Sequence, residues 1–296
     1  MGISKILKSS DVSAPALLAD LGGLITVLDA ALVNGYGAVV PLGWTKEFQN
    51  VDNTIAVYRN AGTGLFMRVS NQVWYDGTWS SAKIEVFGSM RSFDVGYIRC
   101  PEDGKDHYYG WANSQSNVRV VDWYVVGDDK GFWLITEADS GQTYFNIAYF
   151  GDYTPYHLQN RSNWLSFLDD SSAGANTTNL WKMPYGDTDH ASARIYRDYE
   201  NTPTGPKPIN FLSGSGRLNG TDDLIGERIF SAPFPIFTKP YLGAEGEIIG
   251  ELPGLYEIVG GTVSNLEEYQ YQPNNTLKIF DMRTVGKLAL LVGEGF

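Results

Sequence analysis

The sequence predicts a mainly β protein: antiparallel sheets forming a sandwich or an open barrel, with an N-terminal amphipathic helix. Three observations carry this. An apolar segment with helical periodicity occupies residues 15–34. The remainder is rich in Trp, Tyr and Phe and is divided by turn signals into short apolar runs. Tyr alone numbers 18, beside 33 Gly and 13 Pro, a composition suited to pleated surfaces joined by many turns. With 296 residues, 43% of them hydrophobic, the chain can bury a sizeable core in one large or two ordinary domains.

The helix is expected over Pro15–Asn34, where Leu17, Leu18, Leu21, Leu24, Ile25, Leu28, Ala31 and Leu32 recur at three- and four-residue steps. Asp11 and Ser13 are capping candidates, Pro15 falls early in the first turn and Gly35 ends the helix. Gly22-Gly23 then lies mid-helix, at a cost of about 1 kcal/mol per Gly relative to Ala. Two readings fit that pair: close packing on a neighbouring element, or a kink or tight contact with another subunit.

Strand signals follow in order. Thr54–Arg59 and Leu65–Val69 flank Asn60–Gly64 and read as a hairpin. Gln72–Tyr75 precedes the turn signal Asp76-Gly77, and Lys83–Phe87 alternates as a half-buried strand does. Val118–Val126 is expected to pair with Gly131–Thr136 across Gly127–Lys130, and Tyr144–Phe150 is a further strand. Asp169–Asn179 is a polar loop, Asn201–Pro208 a Pro-rich connector and Ser213–Gly216 a flexible point. Strands resume at Glu227–Phe230, Pro233–Phe237, Leu255–Val259, Thr276–Phe280 and Lys287–Val292. This divides the chain into a helical docking segment (1–37), an aromatic-rich β domain (38–200) and a C-terminal β region (201–296), the last two separate or one domain.

A net charge of −12 argues against a non-specific nucleic-acid binder, which needs a cationic stripe, and against docking on an anionic membrane surface. The single Cys100 excludes an intrachain disulfide framework. The opening residues lack the pattern of a secretory signal, and Ile6 stands where a myristoylation motif needs Ser or Thr. No apolar run reaches membrane-spanning length, and the helix carries Asp20 and Asp29. The expectation is a product made in the cytoplasm, in which sequons at Asn160, Asn176, Asn219 and Asn274 carry little meaning.

Chemistry-bearing motifs are sparse. His107, His157 and His190 are the chain's imidazoles, and a turn-like Pro101–Gly104 separates Cys100 from His107. Asp187-Thr-Asp189-His190 offers three metal-ligand types without calcium-loop spacing, and Ser213–Gly220 lacks the ending of a phosphate-binding loop. Trp111, Trp123, Trp133, Trp164 and Trp181 can stack on sugars, although apolar alternation favours core packing for Trp123 and Trp133. Trp74 and Trp79, flanking the Asp76-Gly77 turn, are the candidate glycan contacts. No catalytic residue, metal site or cofactor is expected.

Ser13–Gly37, with its Leu-rich helix running into Leu-Val-Asn-Gly-Tyr-Gly, resembles the opening of virion structural proteins of tailed bacteriophages. Leu42-Gly-Trp-Thr-Lys-Glu-Phe48, continuing into Ile55–Arg59 and Phe66–Val69, resembles the stretch that follows it in that group. Glu251-Leu-Pro-Gly-Leu-Tyr256 is similar to a turn near the C-terminal end of the group. The resemblance covers the first seventy or so residues well and the rest in outline. It departs after Val69, where Ser70-Asn71 stands in place of an Asp pair. It implies a particle component without enzymatic activity, in tail, baseplate or head. The residues alone agree: an apolar stripe formed by Leu21, Leu24, Ile25, Leu28 and Leu32 can dock into a neighbouring subunit, or pack on the chain's own sheet. The expected partners are other virion proteins and further copies of the chain, with no nucleic acid and no membrane. Rival expectations are a module that grips host-surface glycans and a glycan-cleaving enzyme.

Overall fold

The computed structural model describes residues 3–18, 20–74, 79–100, 108–113, 120–137, 145–155, 164–167, 193–196, 207–211, 229–238, 248–260, 264–282 and 286–294. Strands dominate. The first group is β1 (Ile3–Lys8), β2 (Leu17–Leu18), β3 (Thr45–Gln49), β4 (Ile55–Arg59), β5 (Phe66–Trp74), β6 (Trp79–Met90), β7 (Gly96–Cys100) and β8 (Tyr108–Asn113). Next come β9 (Val120–Val121), β10 (Trp123–Gly127), β11 (Gly131–Glu137), β12 (Phe145–Asp152), β13 (Thr154–Pro155), β14 (Trp164–Phe167), β15 (Ala193–Tyr196) and β16 (Lys207–Phe211). The last are β17 (Ile229–Thr238), β18 (Ile248–Gly260), β19 (Glu268–Gln272), β20 (Asn275–Met282) and β21 (Gly286–Glu294). Among the described residues one helix, α1 (Gly23–Leu28), is continued by a π-helical turn over Asp29–Asn34.

The predicted fold class holds at the level of mainly β, with antiparallel pairing between the described strands. A six-stranded sheet runs β3-β4-β5-β6-β7, with β8 on β6 beside β7. A 13-stranded sheet runs β13-β18-β17-β16-β15-β14-β12-β11-β10-β1-β21-β20-β19, and β2 pairs with β9. Strand β16 overlaps the end of the expected connector at Lys207-Pro208 and pairs with both β15 and β17, so the ladder runs across residue 200. The ends of the described chain meet: β1 pairs with β21 through Ser4↔Gly293. The Ser4 hydroxyl reinforces this by donating to Leu291 O (2.9 Å) and accepting from Gly293 N (2.9 Å).

One core is shared by both sheets and the helix. Ala56, Tyr58, Met67, Val69, Ile84 and Val86 face inward from the six-stranded sheet and meet Trp123, Val125, Phe132, Leu134 and Phe150 from the larger one. The reverse face of β10–β12 is buried as well: Trp133 packs against Tyr149 with the rings tilted (centroids 4.9 Å apart) and donates to Pro253 O, while Tyr124 meets Phe280. Burial on both faces explains why Trp-Tyr-Val-Val and Phe-Trp-Leu-Ile read as continuous apolar runs.

The helix differs from its prediction. Residues 15–18 are extended, because Leu17–Leu18 pairs with Val120–Val121 and two indoles take the carbonyls a helix would use. Trp123 Nε1 donates to Pro15 O (2.9 Å) and Trp111 Nε1 to Leu18 O (3.2 Å). Gly22-Gly23 therefore marks the helix start. Gly22 has φ +86°, and a Cβ on Gly23 would collide with Leu18 O, so the pair serves close packing within the chain. Asp11 caps no helix; its carboxylate accepts from Lys8 N (3.0 Å) and the Tyr36 hydroxyl (2.9 Å). The far end is where the sequence puts it: Gly35 N donates to Ala30 O, an i to i−5 bond that closes the π turn.

Candidate functional site

Three constellations stand out among the described side chains. The first anchors the helix. Asn71, buried on β5, accepts from Leu24 N through Oδ1 (3.2 Å) and donates through Nδ2 to Asp20 O (3.4 Å). Its amide supplies the cap that the Gly22 side of the helix cannot. At the other end, Asp29 accepts from Lys46 Nζ on β3 (2.7 Å) and from the Tyr58 hydroxyl on β4 (2.9 Å). Burial first, then the Asp29 carboxylate, holds the Tyr58 hydroxyl well above its ordinary titration range.

The second constellation joins the sheets. Trp44 Nε1 donates to Asp128 O (3.1 Å) and Ala61 N to Asp129 O (2.8 Å), tying the segment before β3 and the β4–β5 loop to the β10–β11 turn. Asn60 Nδ2 bridges Lys130 O (2.7 Å) and Asp152 Oδ1 (2.8 Å). Asp152 also accepts from Thr63 Oγ1 (2.7 Å) at Oδ1 and from Thr63 N (2.8 Å) at Oδ2. A Cβ on Gly62 would collide with Asp152 Oδ2, so the loop closes over this carboxylate only with glycine there. The Tyr149 hydroxyl donates to Asp152 O, and Asp128 Oδ1 accepts from Lys130 N (2.8 Å) and Gly131 N (3.1 Å). Burial pushes both Asp152 and Asp128 above the ordinary carboxylate range, against the lowering effect of these donors.

The third lies on the face of the six-stranded sheet turned from the core. Glu85, only 2% exposed, is held at Oε2 by Arg68 Nε (2.8 Å) and Nη2 and lies 3.4 Å from Lys83 Nζ at Oε1. Arg68 lies over Phe87 (4.9 Å), Arg59 over Phe66 (5.2 Å) and Arg91 over Tyr97 (5.3 Å).

The sequence-derived candidates distribute as follows. Leu24, Ile25, Leu28 and Leu32 are buried in the chain's own core, and Leu21 alone of the stripe is exposed, at 58%. Trp111, Trp123 and Trp133 are buried, so none presents a ring to a sugar. Trp74 and Trp79 are register partners at the end of the β5–β6 ladder; their side chains lie outside the described residues. So do His107, His157, His190, the Asp187–His190 cluster, Trp181 and the Ser213–Gly220 loop, and the side chains of Cys100 and Trp164. Among the described residues, no group of three or more His, Cys, Asp and Glu is placed to hold a metal, and no helix is long and apolar enough to cross a membrane.

Glu85, Asp128 and Asp152 each have carboxylate oxygens engaged by donors of the same chain. In the sequence Asn71 is marked only as half of the Ser70-Asn71 departure from the resembled group, and Asp152 and Glu85 are not marked as site residues. Asn71 and Glu85 both stand in strands of mixed polar and apolar sequence, where nothing in the pattern sets them apart from their polar neighbours. No protein-family profile matches the chain, and no curated protein is significantly similar to it.

Proposed function

We propose that this chain is a non-enzymatic structural component of a tailed-phage particle, a β-sandwich that works in multiple copies, with tail or baseplate favoured over capsid decoration. The observation that supports this best concerns the two opening signatures. Their polar and aromatic residues are occupied as joints of the scaffold: Tyr36 bonds Asp11 (2.9 Å), Trp44 bonds the β10–β11 turn (3.1 Å), and Tyr58 and Lys46 both hold Asp29. A motif spent on holding two sheets and a helix together suits a protein whose product is a shape. Exposed Leu21 is the part of the helical stripe left for a neighbour.

Mass spectrometry of density-banded particles of the encoding phage tests the reading. Stoichiometric recovery of the chain supports it, and recovery only in the soluble lysate overturns it. Leu21→Asp is expected to keep the fold and lower incorporation. Equal incorporation removes Leu21 from the interface.

A second reading is a host-glycan-binding module. It is favoured by the cross-strand pairing of Trp74 with Trp79, at register positions on the same face as Arg68, Ser70, Lys83 and Glu85. Binding to a glycan array, lost in Trp74→Ala with Trp79→Ala, supports it. Silence across lipopolysaccharide and capsule ligands counts against it.

A further inference from the structure

The Asp152 carboxylate is the centre of the junction between the two sheets, and its donors differ in kind. Thr63 N, at Oδ2, and Asn60 Nδ2, at Oδ1, can only donate. The orientation of the Asn60 amide is fixed from both ends, since Oδ1 accepts from Gly64 N (2.9 Å) while Nδ2 reaches Lys130 O (2.7 Å). The Thr63 hydroxyl, 2.7 Å from Oδ1, can donate or accept.

A proton on Oδ2 would point at the Thr63 N–H and break that bond. A proton on Oδ1 directed at Asn60 would meet the amide hydrogens. A proton on Oδ1 directed at Thr63 Oγ1 meets a lone pair, provided the threonine hydroxyl turns its own hydrogen away. Oδ2 then remains a carbonyl oxygen and keeps its bond from Thr63 N. The geometry points to a reversible clasp: when Asp152 takes up a proton from solvent, the Thr63 hydroxyl changes from donor to acceptor, and the junction between the sheets stays closed.

The groups around this carboxyl agree. Lys130, across the β10–β11 turn, favours the charged form. On the same turn, Asp128 keeps its own Oδ1 on Lys130 N and Gly131 N, and on β12 the Tyr149 hydroxyl is bound to Asp152 O rather than to the carboxylate. From the β4–β5 loop only neutral Asn60 and Thr63 bond it. Burial outweighs these donors and raises the carboxyl above its ordinary value.

The test compares Thr63→Val and Thr63→Ser in the full chain by urea unfolding at neutral pH and at an acid pH below the Asp152 titration, which carboxyl NMR of the parent chain locates. Thr63→Ser is expected to match the parent at both pH values. Thr63→Val is expected to lower the folding equilibrium constant about fivefold to tenfold at both, because the hydroxyl is used in each state. A loss at neutral pH that vanishes in acid overturns the reversal. Amide NMR of the parent chain decides the matter independently of any variant. Thr63 N–H is expected to keep its exchange protection as Asp152 titrates, and its loss in step with that titration shows that the clasp opens.

Discussion

Asn71 shows how much one amide can hold. Its Oδ1 is the acceptor for Leu24 N at the start of a helix whose preceding residue is glycine and offers no side chain. Asn71→Ala leaves that N–H buried and unpaired, and is expected to cost about 1–2 kcal/mol, read as a lower urea midpoint with an unchanged slope. Trp111 works from the other side of the same corner, where its indole N–H meets Leu18 O and its ring is wholly buried. Trp111→Phe is expected to cost about 1–3 kcal/mol through the orphaned carbonyl and the smaller ring, and to loosen the 15–18 segment in hydrogen exchange. These roles are only partly legible in the sequence. The aromatic content announces a core, and Trp123 and Trp133 are in it as their alternation implies. Trp111 carries no such mark: its ring joins a core assembled from both sheets, and its indole N–H bonds Leu18 O, 93 positions away.

The helix is the element at which sequence and structure part most clearly. Its periodicity is real, but periodicity reports a buried face, not the identity of what buries it. Leu24, Ile25, Leu28 and Leu32 follow the stripe and are covered by the chain's own sheets. Leu17 and Leu18 fit the same stripe and are strand residues, since local propensity yields to a bridge to Val120–Val121 and to the two indole bonds. Leu24→Ala is therefore expected to destabilise the isolated chain by about 2–5 kcal/mol, measured by denaturant unfolding of the purified protein. A wild-type midpoint would show that Leu24 is not part of the monomer's core. The hairpins were easier to see. Asn60–Gly64 separates β4 from β5 as its composition suggests, and Gly127–Lys130 turns β10 into β11. Strands β1 and β19 left little trace because their partners are distant in sequence or their faces are largely polar.

Across the whole molecule, the two sheets meet through buried carboxylates as well as through the shared core. Asp152 and Asp128 are both raised by burial, so the folded chain binds their protons more readily than the unfolded chain does. A raised carboxyl contributes stability that grows as pH falls through its folded value, is complete below the ordinary carboxylate range and is absent at high pH. The parent is accordingly expected to gain stability relative to Asp152→Asn as the pH is lowered from about 7 to about 4. Parallel pH profiles for the two proteins would show that Asp152 titrates in the folded chain as it does in the unfolded one. None of this is visible in the sequence, where Asp152 ends a strand about ninety positions from Asn60 and Thr63. The pairing of β1 with β21 has a consequence of a different kind. Ser4 and Gly293, bonded to each other, are separated by 289 positions. During translation the first strand therefore leaves the ribosome long before the strand that seals one of its edges exists. Until then that edge is open to any extended peptide nearby, and the yield of correctly assembled chain depends on how fast the ribosome delivers the rest.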